Sequence, residues 1–381
     1  MILKIKTINI YKLRLPFRLT FSHSLKKANS ADNIIVEILT NSLKGYGESG
    51  PRPYVTGETQ ETALRDVPAL ALSKKFPWDM DNLHQVKDFI RSVSEGKSRN
   101  AALCALELAL LDLLAKSKGF RLLGLFPTKH LSEKVCYGGV APLGNQKIIS
   151  KICIIFKDIG INTIRLKLGQ DYEQNRQSMR TVWEVMGRDC DLRVDVNGAW
   201  NLELARQHLP LLISNNISMV EQPLLPQDSG WKGLGEIFKS QGIKLMADES
   251  VCSMEELEKI IEEGAIDSIN IRISKCGGFL NSLKMINRIR DAGLGFQIGC
   301  QLGESGILSA AGRSLSLISP DAFYHDGSYD NMLLEKNITT QDVSFGKGGW
   351  AMPLDGTGLG VQIEHEALSR FSNSMVTISR P

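Results

Sequence analysis

Apolar and polar positions alternate from the start of the chain. The stretches ILKIKTINIYKLRL and NIIVEILTNSLKGYGES read as antiparallel strands with a turn at residues 43–45. NAALCALELALLDLLAKSKG instead carries apolar residues at helical spacing and stops on a glycine. Residues 1–130 are therefore expected to form an α+β unit. From about Val135 short strands alternate with amphipathic helices, and the strand ends recur roughly every 25 to 30 residues, the spacing of βα units. The strands read are KVCYGGV, TIRLKLG, DLRVDVN, SMVEQP, KLMADES, SINIRIS, GFQIGC and AFYHDG. Eight such units predict a closed (β/α)8 barrel of the TIM type over residues 131–344, with an open doubly wound sheet as the alternative. The glycine-rich tail from about 345 to 381 returns to strand character and is expected to rejoin the first unit as part of a cap.

Side chains alternate along a strand, so parity divides each barrel strand into a helix-facing and an interior set. Ile164, Leu166 and Leu168 leave Arg165 and Lys167 on the other face. Leu192, Val194 and Val196 leave Arg193, Asp195 and Asn197, and Ile269, Ile271 and Ile273 leave Asn270 and Arg272. The apolar sets must face the helices, so the polar ones point inward near the C-terminal strand ends, where barrel enzymes hold their active sites. Lys275 falls off this parity and is expected in a loop near the rim. Three successive strands end in acids: Asp195, Glu221, then Asp248 with Glu249 beside it. Buried like charges are costly unless a cation neutralises them, and oxygen ligands from separate strands suit Mg2+, with Mn2+ as a substitute.

Composition narrows the picture. The chain has 381 residues, 43% hydrophobic and 23% charged, enough for one large domain and a smaller one. A net charge of +3 without a dense Lys/Arg run gives no footprint for nucleic acid. No apolar run approaches the roughly 20 residues that span a bilayer, and the first residues lack a signal-peptide pattern, so a cytoplasmic protein without a membrane partner is expected. The seven cysteines are scattered, without a C-x-x-C, and read as small buried apolar residues. GTGLG at 356–360 runs into a strand pattern rather than opening a helix, and GKGG lacks the hydroxyl residue of a P-loop, so both are turns and not phosphate cradles.

The succession RLK, DVNGAW, VEQP, ADES, then NIR followed by KCGG resembles the enolase superfamily, in particular its muconate lactonizing subgroup, along essentially the whole chain. The resemblance implies an α+β cap whose loop, around LTFSHSLKKANS, closes over the barrel mouth. It implies Mg2+ held by Asp195, Glu221 and Asp248, and Lys167, matching the second lysine of the subgroup's K-x-K motif, as the base. Such a base removes the proton α to a carboxylate, and a divalent ion stabilises the charge that gathers on the carboxylate oxygens as an enediolate. Three departures qualify this. Subgroup racemases carry a second lysine on strand six, where this chain has Arg272, a fixed cation and a poor proton shuttle. Arg165 replaces the first lysine of K-x-K. The dipeptide epimerases' D-x-D motif is reduced to Asp326, with Tyr324 in place of the first acid. Glu304, in GCQLGESG, is similar to a residue that hydrogen-bonds the substrate carboxylate, while Asn197, Glu249 and Lys275 complete the expected surroundings. One lysine favours syn β-elimination or cycloisomerisation of a small-molecule carboxylate. A racemase or epimerase of an amino-acid derivative or other carboxylate is the alternative, and a non-catalytic binding protein on the same barrel is another. Assembly into a homo-oligomer is expected.

Overall fold

The computed structural model describes residues 2–23, 26–128 and 130–381, with side chains left aside at 19–27, so the loop expected to close over the mouth lies largely outside the described residues. A four-stranded antiparallel sheet is built from β1 (Thr7–His23), β2 (Lys26–Leu39), β3 (Lys44–Ser49) and the C-terminal strand Ser372–Ser379, in the order C-terminal strand, β1, β2, β3. One face takes Ile8, Ile10, Ile34, Val36 and Ile38 out of water completely, as the period-two pattern requires. The turn between β2 and β3 spans residues 40–43, where Thr40 N and Oγ1 both donate to Leu43 O, slightly earlier than the pattern predicts.

Three helices follow: α1 (Gln60–Ala71), α2 (Leu83–Val93) and α3 (Asn100–Lys118). Every residue of α3 from Asn100 to Ala115 is buried, which is why its sequence is apolar nearly all round. It lies so close to β3 that a Cβ at Gly45 or Gly47 would come within 2.2 Å of Ala109 O or 2.0 Å of Ala105 O, so only glycine fits at either position.

The barrel strands β4 (Gly139–Ala141), β5 (Thr163–Lys167), β6 (Asp191–Asp195), β7 (Met219–Glu221), β8 (Lys244–Ala247), β9 (Ser268–Ile271) and β10 (Gly295–Ile298) pair in parallel and in chain order. Between and after them run α4 (Gln146–Asp158), α5 (Tyr172–Met186), α6 (Leu202–Ser214), α7 (Trp231–Ser240), α8 (Met254–Glu263), α9 (Phe279–Asp291) and α10 (Gly306–Leu317). The eighth position differs from the predicted strand: AFYHDG is extended chain whose only pairing among the described residues is the bridge from His325 to Ile298. It still closes the ring, because Asp326 N donates to Ile298 O at 2.9 Å on one side and Gly138 N donates to His325 O at 2.9 Å on the other. The predicted first strand is also divided: Val135–Cys136 pairs with Trp350–Ala351, and only Gly139–Ala141 joins the barrel.

Buried acids of the cap sit on helix N-termini of the barrel, where free N–H groups and the helix dipole favour them. Glu48 accepts from Ser305 N at 2.9 Å, Ser305 Oγ at 2.6 Å and Leu308 N at 2.9 Å, at the start of α10. Glu107 of α3 accepts from Phe279 N and Leu280 N at the start of α9. These contacts seat the cap over the C-terminal ends of the barrel strands. Among the described residues no helix is long and apolar enough to cross a membrane.

Candidate active site

Interior parity gathers the charged residues at the strand ends into one buried layer. Asp195, Glu221 and Asp248 are 0, 1 and 2% exposed. The β6–β7 register sets Asp195 opposite Glu221, and Asp248 follows immediately after β8. Each acid is met by cations. Lys167 Nζ donates to Asp195 Oδ2 at 2.6 Å and to Asn197 Oδ1 at 2.8 Å. Arg165 Nη1 donates to both oxygens of Glu221, at 2.9 and 2.8 Å, and its Nε lies 3.2 Å from Asp326 Oδ2. Arg272 forks onto Asp248 through Nε and Nη2, and its Nη1 donates to Gln301 Oε1 at 3.0 Å.

The electrostatics follow from this pairing. Burial works to raise Asp248, yet Arg272 and Lys275 override it and hold the carboxyl well below the usual range. Burial likewise opposes the lowering of Asp195, which Lys167 and Arg165 bring about. Glu221 is the exception: burial raises it, Arg165 pulls it down, and the like charges of Asp195 and Asp248 push it up again. Glu249 is pushed up to about 7 by burial and by Asp248. For Arg272, burial works to lower the guanidinium, but Asp248 and Glu249 hold it above its ordinary value.

Lys275 is not where parity predicts. The chain after β9 turns back on itself, with Cys276 N donating to Arg272 O and Gly278 N to Ile273 O at 2.9 Å each. Gly277 and Gly278, at φ 81° and 115°, supply the left-handed backbone. That turn sends Lys275 under the layer rather than to the rim. It is 0% exposed, and its Nζ donates to Asp248 O at 2.7 Å, Asp248 Oδ1 at 3.0 Å and Asn270 O at 2.7 Å.

The other predicted residues divide. Asn197, at φ 46°, accepts from Lys167 and donates to Glu249 Oε1 at 3.1 Å. Glu304 lines the cavity above the layer, where its Oε1 accepts from Gln301 N at 2.6 Å and burial pushes its carboxyl up to about 8. Asp326 is 2% exposed and is held from below by Arg193 Nη2 at 2.6 Å and by Arg165. Sequence reasoning omitted Gln222, whose Oε1 accepts from Asp248 N at 2.8 Å and Ser250 N at 3.2 Å. It sits at φ 40° directly after Glu221, a conformation that only the folded strand end reveals. Asn270 and Arg193 were on the interior parity and join the layer, through Glu221 Oε1 at 2.6 Å and through Asp326 and Gln297.

Above the layer opens a cavity of about 820 Å3, lined by Arg165, Lys167, Asn197, Asp248, Glu249 and Arg272 at its floor. Lys275 and Asp326 do not reach it. The volume lies within the range of small-molecule sites.

Hard-oxygen donors on consecutive strand ends suit a magnesium ion. Two observations bear on the fit. The strand-end layer holds five acids (Asp195, Glu221, Asp248, Glu249, Asp326) matched by five cations (Arg165, Lys167, Arg193, Arg272, Lys275), so its formal charge is zero and a substrate carboxylate meets no surplus cation there. Glu249 Oε2 is also buried without a hydrogen-bond partner. Among the described residues no three acids, imidazoles or thiolates are gathered as an ion would require, because each carboxylate is drawn onto its cation instead. The donor set fits the ion.

Comparison with known proteins agrees with this architecture. The family model described as enolase C-terminal domain-like matches residues 155–367, more than half of the chain. The hydrophobic dipeptide epimerase of Enterococcus faecalis is 28% identical over 96% of this chain and 96% of its own length. The N-succinyl-L-Arg/Lys racemase of Bacillus cereus is 28% identical over 81% of this chain and 83% of that protein. The crystal structure of a dipeptide epimerase from Cytophaga hutchinsonii, complexed with Mg and the dipeptide D-Ala-L-Val, superimposes with a TM-score of 0.85 at 26% identity, covering 98% of this chain and 100% of the other. With a barrel of this connectivity, a cap formed by both chain ends and a family model spanning most of the barrel, the chain belongs to the enolase superfamily, in its mandelate racemase/muconate lactonizing family.

Proposed function

We propose that this chain is a Mg2+-dependent enzyme that moves a proton at the carbon next to a carboxylate in an amino-acid derivative, a racemase or epimerase in reaction type, with Lys167 as the proton-carrying group. The observation that carries the reading is the Lys167 amine, open to the cavity and fixed by Asp195 Oδ2 and Asn197 Oδ1. The relatives support the reaction type, since the dipeptide epimerase and the N-succinyl amino-acid racemase are each 28% identical, against 24% for a chloromuconate cycloisomerase of Pseudomonas aligned over 98% of the chain, which weighs against the cycloisomerase that a single lysine suggests.

Asp195, Glu221 and Asp248 would hold the ion, which when bound supplies charge stabilisation at the carboxylate oxygens as the α-proton leaves. The remaining work falls to the chain. Lys167 takes the proton once its amine is neutral, and Asn197 keeps that amine aimed at the cavity while bracing Glu249. Arg272 presents a permanent positive charge at the same floor, aligned by Asp248 and Gln301. Gln222 holds the backbone of Asp248 in place from beneath.

A second reading, syn elimination or cycloisomerisation on one face, is favoured by Arg272, because its guanidinium stays protonated and cannot carry a proton to the opposite face. Solvent deuterium separates the two. N-succinyl amino acids and dipeptides are incubated with the enzyme and Mg2+ in D2O. Deuterium at the α-carbon with loss of configuration supports the racemase or epimerase, and deuterium with retention supports the one-face reading. Lys167→Ala must abolish incorporation in both; a variant that still exchanges refutes the assignment of the base.

A further inference from the structure

The cap reaches the floor of the site through two polar side chains of the largely apolar α3. Asn100 and Glu107 are buried about two turns apart, on the face of the helix that meets the barrel. Glu107 accepts from Phe279 N and Leu280 N, and both oxygens of Glu58 accept from Ala101 N, at 2.8 and 2.9 Å, which fixes the start of the helix. Asn100 is thereby placed as a bridge. Its Nδ2 donates to Cys252 O at 2.7 Å and to Lys275 O at 2.5 Å. Those carbonyls belong to different loops: Cys252 follows Asp248 and Glu249 after β8, and Lys275 lies on the turn after β9. An amide nitrogen carries two hydrogens, so a single atom spends both on holding the two loops together.

The bridge leads to an expected metal ligand. Lys275, its carbonyl held by the cap, turns its ammonium onto Asp248 O, Asp248 Oδ1 and Asn270 O. On the other loop Val251 N donates to Asp248 O at 3.1 Å, so the backbone from Asp248 toward Cys252 is itself a closed turn. The turn after β9 lies so near α3 that a Cβ at Gly277 would come within 2.8 Å of Asn100 Oδ1, and one at Gly278 within 2.1 Å of Glu107 Oε2. Gly50 N adds another bond from the cap, to Ser274 Oγ at 3.0 Å. A shift of α3 would therefore move the loop bearing Asp248 and the turn bearing Lys275 together.

We propose that Asn100 is a positioning residue for the metal site: by tying the Asp248 loop to the Lys275 turn it sets where the Asp248 carboxylate stands, and so makes the divalent-ion affinity of the floor depend on the seating of the cap. This rests on the reading of Asp195, Glu221 and Asp248 as the ion's ligands. Asn100 touches none of the three carboxylates and acts through Lys275 and the backbone of Cys252.

The test separates positioning from plain stability. Gln60 is the control, a buried amide of the cap that also donates to two carbonyls, Leu13 O at 2.6 Å and Asn33 O at 2.9 Å, both inside the cap. Asn100→Leu and Gln60→Leu each remove one such amide, so both should lower Tm. Each protein is titrated with Mn2+ in the absence of substrate, the free ion being read by its electron paramagnetic resonance signal. Asn100→Leu should raise the Mn2+ Kd about tenfold, the lower end of what the outer partners of metal ligands cost, and Gln60→Leu should leave it as in the parent. In the metal-free proteins, hydrogen exchange read by mass spectrometry should quicken in residues 249–253 and 273–280 together for Asn100→Leu, and in neither for Gln60→Leu. Asn100→Ala, which leaves room for a water between the carbonyls, is the milder variant if leucine prevents folding, and should shift both readouts the same way by less. An unchanged Kd, an equal loss in the Gln60 variant, or exchange that quickens in one loop without the other overturns the proposal. A parent that binds no Mn2+ overturns the metal reading, and the exchange pattern then still decides whether Asn100 joins the two loops.

Discussion

Replacing Lys275 with methionine removes a charge and three hydrogen bonds from a place water does not reach. The ammonium is 0% exposed and donates to Asp248 O, Asp248 Oδ1 and Asn270 O. Methionine fills similar space, so the cost is electrostatic rather than a cavity. It takes the Lys275 donor from Asn270 O, at about 1 to 3 kcal/mol, while Asp248 O keeps its bond from Val251 N at 3.1 Å, and it halves the cation count on the buried Asp248 carboxylate. Breaking a buried pair from one side costs about 3 to 5 kcal/mol, and because the losses share one carboxylate they do not add, so about 4 kcal/mol is expected. For 381 residues, an unfolding entropy of about 2.1 cal/mol/K per residue makes that roughly a 5 °C fall in Tm. Scanning calorimetry of the metal-free protein checks the fall, and a Mg2+ titration of Tm checks the second consequence, a weaker response because Asp248 then answers to Arg272 alone. A Tm within about 1 °C of the parent together with an unchanged Mg2+ response would refute the account. Lys275→Arg is also expected to destabilise, by about 1 to 3 kcal/mol, since a planar fork is forced into a packed space shaped for an ammonium.

Arg272→Lys keeps a cation at the cavity floor but gives up the fork on Asp248; it should raise α-proton exchange on the second face, read as loss of configuration in D2O, and an unchanged stereochemical course would show that residue 272 does not face the reacting carbon. Gln222→Leu removes the acceptor for Asp248 N and Ser250 N, so a loss of about 2 kcal/mol and a smaller Mg2+-dependent rise in Tm are expected; no change in either would remove Gln222 from the site. In the cap, burial alone would raise the Glu37 carboxyl, but its donors Asn9, Tyr46, Lys44 and Tyr11 bring it down to about 2. The folded value lies below the unfolded one, so this stability is complete above about pH 4.5 and is lost as pH falls toward 2; Glu37→Gln should flatten Tm against pH in that window, and parallel curves for variant and parent would contradict it.

The pattern of the sequence carried the barrel interior well and its edges less well. Period-two alternation assigned Arg165, Lys167, Asp195, Asn270 and Arg272 to one layer, because along a regular strand the side-chain direction is fixed by geometry alone. Where the chain leaves the strand that logic stops. Lys275 lies three residues past Arg272, and its direction is set by a turn on two left-handed glycines, which parity does not register. Gln222 is similar: its role depends on a positive φ directly after Glu221. The eighth strand was legible as extended sequence, yet its pairing comes down to three backbone bonds with β10 on one side and one from Gly138 N on the other.

The two arginines that replace expected lysines act in concert. Arg165 shares its Nη1 between both Glu221 oxygens and turns its Nε toward Asp326, so it neutralises a carboxylate that would otherwise repel its neighbours in the buried layer, and Arg272 does the same for Asp248 through a fork of Nε and Nη2. An ammonium cannot form such a planar two-point contact. The substitutions therefore trade groups able to titrate for groups that only hold charge. Two lysines remain at the strand ends, and they are not equivalent: Lys275 spends all three N–H bonds beneath the floor, whereas Lys167 borders the cavity with Asn197 as a neutral partner. On the proposed reading, proton transfer at this floor concentrates on the Lys167 amine, because Arg272 holds the position where the sequence resemblance implies a second lysine. It also makes the stereochemical outcome in D2O, rather than the rate, the measurement on which the two readings of the reaction separate.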